Sequence, residues 1–175
     1  MRLLRWLVVT EVNGWKSLFF LLTRRVPGRR AGMLTFGYAK ELGPVMGAII
    51  FGSTLELVVV HLLLPWETIR LIADIVSLWG LLWMFGYLAS VIVHPHLLGP
   101  DEMRVRYGAS VDIRIPWGDV AAVKARRGGA GSVAVMNRTN VEVALKRGES
   151  VRLFADDKKG FVAACEQFIA VQAPG

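Results

Sequence analysis

Cysteine occurs once in this chain of 175 residues, at Cys165, and histidine only three times. One thiol excludes an internal disulfide and fits a reducing compartment. Zinc needs three or four donors, and the His94-Pro95-His96 pair has no cysteine or carboxylate cluster nearby, so no metal is expected. The common catalytic signatures are missing too: no nucleophile elbow, no HExxH, no Rossmann fingerprint, no GK[ST] phosphate loop and no Ser/His/Asp set. No enzymatic activity, catalytic residue or cofactor is therefore expected. Asp101, Glu102 and Asp112 fall on turns and on a polar strand face, where acidic groups keep a surface wet. Charge is also scarce in the middle of the chain. Residues 44–93 carry one basic and three acidic groups, against eight and two in 1–43 and twelve and nine in 94–175.

What fills that middle is apolar. Residues 44–64 read PVMGAIIFGSTLELVVVHLLL and residues 71–93 read LIADIVSLWGLLWMFGYLASVIV, with Pro65-Trp66-Glu67-Thr68-Ile69-Arg70 between them. A helix rises about 1.5 Å per residue, so about 20 apolar residues cross a hydrocarbon core of about 30 Å. Both runs are long enough, and 44–93 is expected to be a transmembrane hairpin. Basic residues flank it on its outer sides and nearly avoid its turn. The bias of Lys and Arg then puts both termini in the cytoplasm and the turn outside, in a multi-pass protein of the cell membrane. With a pI near 10, nucleic acid comes to mind, but arginines beside a hairpin are better placed to meet anionic lipid headgroups. No nucleic-acid partner is expected.

Residues 1–43 form a separate N-terminal segment. In 1–26 the helical spacing of apolar residues is interrupted by Arg5, Glu11, Asn13 and Lys16, and Trp6, Trp15, Phe19 and Phe20 are available to a headgroup layer. An amphipathic interfacial helix is expected, the alternative being a helix packed on the C-terminal domain. Leu7-Val8-Val9 is too short a core for a cleaved signal. Arg24, Arg25, Arg29 and Arg30 cluster around Pro27-Gly28. Residues 31–43 read as amphipathic or irregular. Gly43/Gly47, Ala48/Gly52 and Gly86/Ser90 place small residues four apart, a spacing that lets helices approach closely.

From His94 the period changes. Met103, Val105 and Tyr107 alternate with Arg104 and Arg106, and Val111, Ile113 and Ile115 alternate with Asp112 and Arg114. Short apolar stretches at 120–123, 133–135, 141–145 and 151–154 follow, separated by turn residues. About six antiparallel strands are expected. Asp156 or Asp157 then caps a helix whose Phe161, Cys165, Phe168 and Ile169 make one apolar stripe that closes the sheet. The segments HLLGPDEMRVRYG (96–108) and IPWGDV (115–120), with Ile113 and Val123, resemble the bacterial pleckstrin-homology-like membrane proteins. That resemblance covers 94–172 and implies a compact PH-like β domain, of non-enzymatic adaptors that bind proteins, or sometimes lipids, beside a membrane. It brings no catalytic residues. Within the motif, Pro116 ends a strand, Trp117 packs on the sheet and Asp119 bonds local backbone.

The expected fold is thus α+β: a transmembrane helix hairpin, then a small antiparallel PH-like domain over 94–175 closed by a C-terminal helix. Its expected role is a membrane-anchored interaction module, an accessory or assembly subunit of a membrane protein complex. Two alternatives stay open. Arg24, Arg25, Arg29 and Arg30, with Arg126 and Arg127 on a Gly-rich loop, read as contacts for anionic membrane lipids. Glu56, His61 and Asp74, polar groups at membrane depth, read as parts of a small transport component. Folding the hairpin about residue 67 brings His61 towards Asp74; the preferred pairing on sequence is Asp74 with Arg70, one helical turn away.

Overall fold

A computed structural model describes residues 2–172, with side chains from 12 onward. The side chains of Arg5, Trp6 and Glu11, which enter the sequence reading of the first segment, lie outside the described residues. Among the described residues, four α-helices and seven strands make an α+β chain, in which two long apolar helices precede six of the seven strands and a last helix. Helix α2 (Leu42–Leu63) and helix α3 (Glu67–Val93) are each long and apolar enough to cross a membrane. The link between them is shorter than the sequence suggests. Glu67 to Arg70 form the first turn of α3, and the Arg70 amide donates to the Trp66 carbonyl at 2.9 Å. In their most apolar windows only 6% of α2 and 28% of α3 is buried within the chain. Such helices present their side chains outward, unlike the core helix of a water-soluble domain.

Helix α1 (Arg2–Leu22) lies against α3. The contact is made possible by two glycines: a Cβ built on Gly86 comes within 3.2 Å of the Gly14 Cα. Of the small-residue pairs in the sequence, Gly86/Ser90 is split, Gly86 meeting α1 and Ser90 the turn at Gly108-Ala109, whereas Gly43, Gly47 and Gly52 face open space.

The strands form two sheets. Strands β1 (Leu34–Phe36), β2 (His96–Leu98), β3 (Glu102–Tyr107) and β4 (Val111–Pro116) pair in that order. Strands β5 (Val120–Gly128), β6 (Thr139–Leu145) and β7 (Ser150–Leu153) make the second sheet. β1 comes from the segment read as irregular, and pairs Leu34 with Leu98 and Phe36 with His96. The α2–α3 hairpin is therefore an excursion between two neighbouring strands, and the β unit is built from both sides of it. β5 continues through Arg126 and Arg127, so the Gly-rich loop expected to carry these two arginines starts only after Gly128. Val133 and Val135 make isolated bridges and no strand; Val135 and Arg138 exchange backbone bonds around Met136-Asn137, both with positive φ, which is a two-residue I′ turn.

Helix α4 (Lys158–Gln172) closes the unit. Asp157 caps it by accepting the Gly160 amide at 2.9 Å. Phe161 and Cys165 are fully buried between the sheets, with Phe168 and Ile169 packed beside them. Burial pushes the Cys165 thiol up to about 12, so it is an inert core group. Trp117 lies under α4, stacked on Phe168 at 5.2 Å, and its indole N–H donates to the Gly99 carbonyl at 2.8 Å. Asp119 does not cap its turn: its carboxylate faces Arg147 at 3.6 Å.

Candidate functional site

Asp156, unused as a helix cap, ties the two ends of the β unit together. Its carboxylate accepts the Lys40 amide at 3.2 Å, and its own amide donates to the Gly37 carbonyl at 2.9 Å. Next to this tie, Tyr38, Leu42, Val91, Val135 and Phe154 form a small core where the long helices meet the sheets. Aromatic rings run through it in sequence. Trp83 stacks on Tyr87, Tyr107 on Tyr38, Tyr38 lies 4.9 Å from His96, and His96 meets Phe161 edge-on. The step from helix to sheet is polar: the Tyr87 and Tyr107 hydroxyls are 2.8 Å apart.

His96 is the deepest polar group of that junction. The Arg106 amide donates to its Nδ1 at 3.0 Å, so the proton sits on Nε2, which donates to the Phe154 carbonyl at 2.9 Å. Burial lowers its pKa to about 4, and the imidazole is neutral. His94 points elsewhere, donating to the Ser90 carbonyl at 2.9 Å. No group of three metal-ligating side chains occurs among the described residues.

Beside this junction lies a cavity of about 450 Å³ between α1, α3 and the β3–β4 turn. Leu18, Ile75, Leu78, Trp79, Leu82 and Trp83 wall it, and Tyr87, Ser90, Tyr107 and Ser110 stand at its other end. Ser90 is held in place there, accepting the Ala109 amide at 2.8 Å. In the sequence, Ser90 reads only as a small residue of α3 and Tyr107 only as a strand position, and neither marks a cavity. The signal was present in the spacing of Trp79, Trp83 and Tyr87, one aromatic per helical turn on one face of α3.

The basic groups divide between the sheets. Arg24, Arg25, Arg29 and Arg30 are exposed on the α1–β1 loop and make no ion pair among the described residues. That loop is seated on β3: Arg106 donates from Nη1 to the Pro27 carbonyl at 2.7 Å, and a Cβ on Gly28 would meet the guanidiniums of Arg104 and Arg106. Both arginines share Asp112. Burial acts to raise the Asp112 pKa, but the Arg104 hydrogen bond and the two positive charges hold it below the usual carboxylate range. Burial, then the charge of Arg104, lowers the Arg106 pKa. Arg126 and Arg127 belong to β5 on the other sheet. Arg126 pairs with Glu142 at 2.9 Å, as does Arg152 at 3.2 Å, which leaves only Arg127 without an ion pair among these three.

The polar groups of the two long apolar helices also separate. His61 donates from Nδ1 to Asp74 Oδ2 at 2.7 Å, so Asp74 pairs across the hairpin and not with Arg70. The other Asp74 oxygen, Oδ1, is buried without a hydrogen bond. Glu56 stands apart, exposed on α2. The hydroxyl of Thr54 is occupied with the Ile50 carbonyl at 2.8 Å and does not reach it. Comparison of the chain with protein families, with curated proteins and with solved structures finds no match.

Proposed function

We propose that this chain is a membrane-anchored, PH-like interaction module without enzymatic activity, an accessory or assembly subunit of a membrane protein complex. The outward apolar flanks of α2 and α3 support placement in the bilayer. Seven strands in sheets of four and three, closed by a C-terminal helix, support the PH-like reading, and the Lys/Arg bias favours a cytoplasmic β unit.

One observation carries the interaction role. Glu56 lies near the middle of α2, exposed and without a hydrogen bond or ion pair from the described residues, and Ala48 and Gly52 are exposed at the preceding helical turns of the same face. A carboxyl facing hydrocarbon is costly, and small residues beside it admit a second helix closely. A helix from another membrane protein that donates to Glu56 satisfies both. Affinity purification of the tagged full chain in mild detergent tests this. The expected result is a stoichiometric membrane protein that is retained at high salt and lost with Glu56→Leu and with Gly52→Leu. A wild-type chain that purifies alone, or a partner indifferent to both substitutions, overturns it.

A second reading, anionic-lipid binding, is favoured by the four exposed arginines of the α1–β1 loop. It requires phosphatidylglycerol to be retained over phosphatidylcholine by the detergent-purified chain, with the preference collapsing as salt rises and in the fourfold Arg→Gln variant. The full chain is needed, because a 94–175 fragment lacks β1.

A further inference from the structure

We infer that the cavity between α1, α3 and the β3–β4 turn is a binding site for one ester-linked acyl chain of a membrane glycerophospholipid. The inference rests on the membrane placement proposed above and on residues that the interaction reading does not use.

Three features select this ligand. First, the cavity is graded in polarity along α3. From Ile75 to Trp83, roughly 12 Å of helix, its wall is aliphatic and indole; from Gly86 to Ser90 it turns to hydroxyls and backbone. One leaflet of the hydrocarbon core is about 15 Å deep, so the apolar stretch fits within the leaflet next to the β unit and the polar end falls at its headgroup level. Second, the cavity opens sideways. Trp15, Trp79 and Trp83 line it while remaining 55%, 59% and 42% exposed, so its mouth is on the flank that faces lipid. At about 450 Å³ it is within the range of about 300–1,000 Å³ usual for small-molecule sites.

Third, the polar end has a donor to spare. Two phenols 2.8 Å apart share one O–H···O bond, which uses one of their two protons. The second proton has no acceptor among the described residues, and an ester carbonyl supplies one. A phenol body in apolar surroundings with its hydroxyl at the wet boundary is also the position tyrosine favours at membrane interfaces.

The test is native mass spectrometry of the full chain in a mild non-ionic detergent, mixed with phosphatidylglycerol bearing palmitoyl and oleoyl chains. The expected result is a single lipid adduct that survives activation strong enough to strip all others. Leu82→Trp and Leu18→Phe, which fill the cavity from opposite walls, should each cut that adduct by about tenfold. Tyr87→Phe/Tyr107→Phe, which keeps the shape and removes both hydroxyl donors, should cut it about fivefold. Loss of the adduct in either cavity-filling variant, with an unchanged unfolding midpoint, supports the site. No surviving adduct on the wild-type chain, or equal retention in both filled variants, overturns it. Palmitate retained as strongly as the phospholipid also overturns it, by making the occupant a free fatty acid. Carbonate extraction of the same variants from membranes reads the membrane placement separately. A chain released by carbonate sinks that placement; in a chain that resists it, presence or loss of the adduct decides the cavity alone.

Discussion

Tyr87 of α3 and Tyr107 of β3 meet hydroxyl to hydroxyl at 2.8 Å, a side-chain hydrogen bond that joins α3 to the sheet. Each ring is also stacked, Tyr87 on Trp83 and Tyr107 on Tyr38. The hydroxyl pair therefore joins two aromatic stacks, one belonging to the long helices and one to the sheet core. A Tyr→Phe change keeps both stacks and deletes only the bond. Each single variant should lose about 1 kcal/mol of stability, and the double variant little more than either, a coupling of about 1 kcal/mol. Thermal unfolding of the four proteins in detergent measures it; additive losses would show that the hydroxyls act independently.

His96 gives the β unit a dependence on pH with a definite sign. Its folded pKa is lowered to about 4, and the ordinary histidine value is about 6.5. Between these limits the unfolded chain binds the extra proton, so stability rises with pH. The contribution is fully present above about 6.5 and is lost as pH falls towards about 4, to a total of about 3 kcal/mol. Asp112 titrates below the usual carboxylate range and adds its loss only at lower pH. Unfolding midpoints measured from neutral to mildly acid pH should fall along this course in the wild-type chain. His96→Gln should be less stable at neutral pH and nearly flat across the same window.

The Gly14–Gly86 contact is asymmetric, and so should be its response to substitution. A Cβ on Gly14 comes to rest 3.7 Å from the Gly86 Cα, ordinary van der Waals contact, whereas one on Gly86 is forced to 3.2 Å from the Gly14 Cα. Gly14→Ala should be neutral or slightly stabilising, since Gly also costs a helix about 1 kcal/mol relative to Ala. Gly86→Val should part α1 from α3. Trypsin cleavage after Arg24 and Arg25, on the exposed loop that follows α1, reads the difference: the rate should be unchanged for Gly14→Ala and clearly faster for Gly86→Val.

Much of this architecture is legible in the residues because its signals are long or periodic. The apolar runs announce α2 and α3 by length alone. Alternation announces β3 and β4, and the stripe Phe161, Cys165, Phe168, Ile169 announces the face α4 buries. β1 is not legible: three residues carry no period, and Leu34 is exposed despite its type. Only pairing with β2, some 60 residues later, makes it a strand. β2 is masked for a related reason. His96 is polar yet fully buried, because the Phe154 carbonyl and the Arg106 amide satisfy both its nitrogens. The cavity was hidden as well, since its two walls and its polar end come from segments far apart in sequence.

The His61–Asp74 pair shows how far reasoning by spacing reaches, and it sets the last prediction. On sequence, Arg70 is the nearer partner for Asp74 by helical periodicity. A link of only Leu64 to Trp66 between α2 and α3 instead brings His61 across the hairpin to 2.7 Å. A hollow lined by Leu57, Val58, Leu62 and Leu78 surrounds the pair, and the second Asp74 oxygen finds no donor there. Removing one member of a polar pair set among apolar side chains leaves the other without its partner, whereas replacing both with apolar groups is often neutral or better. His61→Leu should therefore lower the unfolding free energy in detergent by about 1–3 kcal/mol, the loss of a partner in a half-exposed site. Asp74→Asn, which still accepts from Nδ1, should cost less. The double variant His61→Leu/Asp74→Leu should recover most of the single loss. If it does, the pair is there for something other than holding the hairpin together, and a proton or cation flux assay on reconstituted chain is the measurement that decides. If the double variant is the least stable of the four, the pair is a structural clasp.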